Sequence, residues 1–170
     1  MAGEKKWEQD KRWSDRFLPE IKQILGLHLI GEPPQEEDAE RNTDLIVLRM
    51  EAVRIGCRVR KNQYVAKYGD EFTIRSGRPS GAKTELSKIL EGYGDYLLYG
   101  FSNEEESHLS LWTLADLRVF RLEYNRQLYR LPAHSAPGRE RSNGDSSSKF
   151  CVFRWADFPA SIKVAETVRY

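Results

Sequence analysis

Cations on alternate positions of one strand are the residues of this chain best placed to do chemistry. The stretch "VRIGCRVRK", Val53 to Lys61, alternates strictly. Val53, Ile55, Cys57 and Val59 share one face, and Arg54, Gly56, Arg58 and Arg60 share the other. Residues two apart on a strand stand about 7 Å apart. A row of guanidinium groups at that spacing can track a phosphate backbone, because each fork holds a phosphate through parallel N–H donors. Arg49 and Lys61 extend the patch. A second reading of the same residues is equally open: one face of a half-covered sheet is polar simply because it meets water.

Other reactive side chains carry less. Asp44 opens the run "TDLIVL", where an aspartate is either a site residue or the cap of a turn. His28 falls on the apolar face of a helix and reads as core, while His108 and His134 stand alone in loops. Trp112, Phe120 and Tyr124 read as packing rather than a stacking platform. The two cysteines, Cys57 and Cys151, show neither metal-ligand spacing nor a disulfide framework, so a reducing, cytoplasmic setting is expected. There is no phosphate loop, zinc cluster, G-x-S-x-G or dinucleotide fingerprint.

Around these residues the chain must build elements that hold them. Residues 1–13 are charged and are expected to fray or form weak helix. Phe17, Ile21, Ile24 and Leu25 recur at helical spacing, with Ser14 as a cap and Pro19 in the first turn. Strands are expected at "DLIVLRM", "VRIGCRVR" and "EFTIRS", close enough in sequence for an antiparallel meander. "TELSKILEG" reads as a helix capped by Thr84 and stopped by Gly92. "DYLLYGF", Asp95 to Phe101, is nearly all apolar and reads as a strand buried on both faces, joined by a crossover. A third helix is expected from Leu111 to Leu128, then a last strand at "FCVFRW".

The resulting fold class is α/β in the broad sense (α+β), a mixed β-sheet flanked by helices. One domain over 14–133 is expected, with a mobile loop at 134–149 rich in Ser and Gly, and a C-terminal strand and tail over 150–170 on the same domain. Composition is that of a globular protein, 39% hydrophobic and 31% charged. A net charge of +1 supplies no global field toward nucleic acid or membrane, so any such surface must be local. The polar N-terminus is no signal peptide, and no apolar run approaches the roughly 20 residues that span a bilayer.

The order α-β-β-β-α-β from Ser14 to Phe101 resembles the restriction-endonuclease-like core of the PD-(D/E)XK nuclease superfamily. Three pieces of text carry it: "TDLIVL" after a loop, "VRIGCRVR" where that family has an "I-E-C-K"-like strand, and "TELSKILEGYGDYLLYGF" for the helix and strand that follow. The resemblance implies magnesium-assisted hydrolysis of a phosphodiester, with carboxylates on the ion and a lysine stabilising developing charge. It assigns Asp44 to the metal-binding aspartate. Gly56 stands where the glutamate belongs, and Arg58 where the lysine belongs. Glycine binds no metal, and arginine holds a phosphate but transfers protons poorly. A carboxylate relocated to Glu20, Glu71 or Glu85 would restore a metal site; without one, only binding remains. Arg41 to Arg121 also resembles uncharacterised phage and prophage proteins.

Three functions follow as expectations. The first is nucleic-acid binding, DNA ahead of RNA, through Arg54, Arg58, Arg60 and Lys61 on a catalytically degenerate scaffold. The second is an active divergent nuclease using Asp44, Arg58 and Glu85, with magnesium on Asp44 and Glu71. The third is a protein-interaction or inhibitor module with a protein partner. No membrane partner is expected.

Overall fold

A computed structural model describes residues 6–31, 46–47, 53–144 and 148–167. Helices α1 (Lys6–Asp15) and α2 (Leu18–Leu29) come first. Ser14 does not cap α2: its hydroxyl donates to the Lys11 carbonyl and closes α1. Strands β1 (Ile30–Gly31) and β2 (Ile46–Val47) pair antiparallel. Then come β3 (Ile55–Arg60), a tight turn at Asn62–Tyr64, α3 (Val65–Tyr68) and β4 (Glu71–Gly77). Helix α4 (Glu85–Leu90) follows, with Thr84 accepting from the Ser87 amide as its cap. The chain continues through β5 (Tyr96–Ser102), β6 (Leu109–Asp116), α5 (Leu117–Arg130), β7 (Arg139–Ser142), β8 (Lys149–Arg154) and β9 (Lys163–Glu166).

The class is mixed α/β, as the sequence indicates, but the strands do not form a meander. One sheet has the order β3-β5-β6-β9, and a separate antiparallel sheet has the order β4-β8-β7. β3 runs parallel to β5, with Arg58 beside Tyr99 and Arg60 beside Phe101. β4 leaves its sequence neighbour and pairs with β8, Phe72 opposite Phe153. The expected third helix begins six residues late, because Leu109–Asp116 is a strand. Leu111, Leu114 and Leu117 fit a helical period, yet alternation also fits, and pairing with the buried β5 decides for strand. Asp116 then caps α5 by accepting from the Arg118 amide at 2.7 Å. The segment expected to be a loop at 134–149 contains β7, paired with β8.

Two cores flank the four-stranded sheet. On one face, Phe17 and Ile21 from the α1–α2 side pack on Leu98 and Leu114, with Ile55 and Val59 at the edge. On the other face, Leu97, Tyr99 and Phe101 meet α4, α5 and the inner face of the three-stranded sheet. Phe72 centres that larger core, stacked on Trp155 at 4.1 Å and packed with Phe153 and Phe158. β5 is thus buried on both faces, as its unbroken apolar text requires. Among the described residues, no helix is long and apolar enough to cross a membrane.

Candidate nucleic-acid interface

Alternation in β3 separates its side chains as the sequence predicts, with one correction. Ile55 and Val59 pack toward α1 and α2, but Cys57 between them is exposed, because β3 is the edge strand of its sheet. The arginine face is not simply wet. It belongs to the side that carries Leu97, Tyr99 and Phe101, so its cations sit at the rim of the larger core.

There Arg58 bridges three elements. One guanidinium nitrogen donates to the Thr73 carbonyl at 3.0 Å and to the Thr73 hydroxyl at 3.2 Å, on the β4 edge. The other donates to Glu85 at the start of α4, at 2.8 Å. The same Glu85 oxygen accepts the Arg75 amide at 3.1 Å. Thr73 continues the network to the Tyr99 hydroxyl at 3.2 Å, and Tyr99 faces Arg60 at 3.5 Å. Arg60 lies over the Tyr64 ring at 4.7 Å and the Tyr68 ring at 5.5 Å.

Two further cations belong to this group. Arg75 feels Arg58 and Arg78, and its pKa is lowered, first by burial and then by those two charges, with Glu85 pulling the other way. An arginine stays protonated regardless. The lowering records first the partial burial of Arg75 and then its nearness to two other guanidinium groups. Among the described residues, neither Arg75 nor Arg78 is in an ion pair. Sequence reasoning missed both. The available signal was the alternation of "EFTIRS", which puts Arg75 on the face of Thr73.

The remaining candidates disperse. Arg54 is exposed just ahead of β3, where its backbone, not its guanidinium, holds Asp95. Lys61 turns to the opposite side, pairing with Glu106 at 3.2 Å and lying over the Trp13 ring. Asp44 and Arg49 lie outside the described residues. Glu71 pairs with Arg139 at 3.2 Å, and four residues of β4, about 13 Å, separate it from Arg75. Glu20 accepts the Leu109 amide on the far side of the sheet.

Among the described residues, Glu71 and Glu85 do not share a site. Glu85 is committed to Arg58 and to the Arg75 amide, and Glu71 stands at the other end of the strand. Among the described residues, no three acidic, histidine or cysteine side chains converge. What does converge is a group of guanidinium side chains around Glu85. Gly56 is not sterically required: a Cβ there would make only ordinary contact with Leu97, at 3.6 Å. No protein-family model, no curated protein and no solved structure matches the chain.

Proposed function

We propose that the protein binds nucleic acid through the phosphate backbone, using Arg58, Arg60, Arg75 and Arg78, and does not hydrolyse it through this surface. The observation that carries the reading is the gathering of guanidinium groups where β3, β4 and α4 meet: Arg58 and Arg75 meet at Glu85, the one carboxylate that Arg58 pairs with among the described residues, and Arg78 is near enough for its charge to act on Arg75. A phosphate entering this group gains charge-assisted hydrogen bonds and relieves repulsion among its cations. Contacts of that kind position a partner without reading bases.

The test is fluorescence anisotropy with DNA and RNA oligonucleotides at several salt concentrations, with and without magnesium, followed by gel analysis of the oligonucleotide. Affinity should fall with salt, with a slope near −0.9 per phosphate on duplex or −0.7 on single strand. Magnesium should change little, and the oligonucleotide should stay intact. Arg75→Ala should weaken all sequences about equally. Absence of binding at low salt would overturn the reading in favour of a protein-interaction module. Binding that ignores Arg58→Ala and Arg75→Ala would place it elsewhere.

A further inference from the structure

We infer that the nucleic acid taken here is single-stranded, with one base stacked on Tyr64 beside the phosphate-binding arginines. The inference rests on the binding reading above and adds the strand state of the ligand. After Arg60 the chain turns sharply, bringing Tyr64 and Tyr68 back over the Arg60 guanidinium. The turn is pinned. The Tyr64 amide donates to the Lys61 carbonyl at 3.1 Å, and the Asn62 amide donates to the hydroxyl of fully buried Ser102 at 3.2 Å. Tyr64 is nevertheless 36% exposed. A large aromatic ring held open next to a row of cations is the composition of a single-strand surface, where bases stack on rings while cations follow the backbone.

Stacking also leaves Arg60 available. Arg60 spends one N–H on the Tyr99 hydroxyl at 3.5 Å, and a guanidinium over a ring keeps its other N–H donors for an anion. In a duplex the base faces are already occupied by their neighbours, so Tyr64 would have nothing to stack on. Recess argues the same way. Arg58 is only 27% exposed, sunk in the seam between β3, β4 and α4. A flexible single strand can bend into that seam. A rigid cylinder of phosphates meets projecting cations best, and usually many of them. The chain's net charge of +1 supplies no wider field to compensate.

The experiment titrates three probes against the native protein: a short oligothymidylate, the same oligonucleotide annealed to its complement, and inorganic polyphosphate as a polyanion without bases. Tyr64→Leu and Tyr64→Phe are titrated in parallel, with thermal melts to establish that both fold. The single strand should bind at least about tenfold more tightly than the duplex. Tyr64→Leu should lose about tenfold on oligothymidylate, the effect of one stacked base, and nothing on polyphosphate, while Tyr64→Phe should match the native protein. Equal or tighter duplex binding overturns the inference and leaves phosphate binding standing. So does polyphosphate binding as tight as oligothymidylate, a comparison that needs no variant. So does Tyr64→Leu binding oligothymidylate as tightly as the native protein. Failure of the native protein to bind any probe removes both readings together.

Discussion

Arg58 and Glu85 meet at 2.8 Å across the seam between β3 and α4, each side chain less than one-third exposed. The carboxylate occupies one end of the fork that a phosphate would use. Glu85 is therefore a competitor built into the proposed site as well as a strut between elements. Glu85→Gln keeps an acceptor for the Arg75 amide but removes the charge. It should cost about 1–2 kcal/mol of stability, as loss of a partly screened charged hydrogen bond does. It should also tighten oligonucleotide binding several-fold. Denaturant melts and anisotropy on one preparation read both effects. Weaker binding by this variant would show that Glu85 orders Arg58 for its ligand rather than competing with it.

Glu106 provides a pH test on the opposite side of the sheet. It lies in the β5–β6 connection, at φ 53°, and gathers Trp13, Lys61 and Arg16. The hydrogen bond from the Trp13 indole, then that from Lys61, lowers its pKa below the ordinary 4.5. A carboxylate depressed in the folded state contributes stability that is fully present above its unfolded pKa. That contribution is lost as pH falls through the lower folded value. The melting temperature should therefore drop on acidification below 4.5, and Glu106→Gln should flatten that part of the profile. An unchanged acid limb in the variant would assign the drop to other groups.

Gly138 precedes β7 with φ 82°, and a Cβ there would lie 2.6 Å from the Phe153 ring. Phe153 is buried among Phe72, Phe120 and Phe158 and has nowhere to move. Gly138→Ala should therefore destabilise by about 1–3 kcal/mol, combining overpacking with left-handed strain. Chemical denaturation measures it. A neutral result would mean that β7 can detach without disturbing the core.

Phe72→Ala removes the ring that joins both sheets and α5, and should cost about 3–5 kcal/mol. Equilibrium urea unfolding reads the loss, and a cost below about 1 kcal/mol would contradict the packing described.

The parts of this fold that were legible in the sequence are local ones. The two faces of β3 follow from alternation. The double burial of β5 follows from "DYLLYGF". The start of α4 follows from Thr84. What was not legible is pairing at a distance. Nothing between Glu71 and Gly77 names Lys149–Arg154 as its partner, and parallel β3–β5 pairing turns the expected open face into the rim of a core. The site divided in the same way. Arg58 and Arg60 stood out by spacing. Glu85 was within the expected reach of the arginine strand, but its pairing with Arg58 depends on where β4 and α4 pack. Arg75 and Arg78 joined only when β4 left its neighbour for β8.

The pairing of Glu71 with Arg154 sets a timetable for folding. Phe72 finds its partners Phe153, Trp155 and Phe158 about eighty residues later in the chain. During synthesis, β5 and β6 can zip as neighbours, while β4 waits with an apolar face and an unpaired edge. Closure of that long loop is then expected to be a slow step of folding, and the exposed β4 edge is where chains would stick to one another before it closes. Pulse-labelled hydrogen exchange should show β5–β6 amides protected before those of β4. Simultaneous protection of both would place the closure of β4 on β8 in the first event.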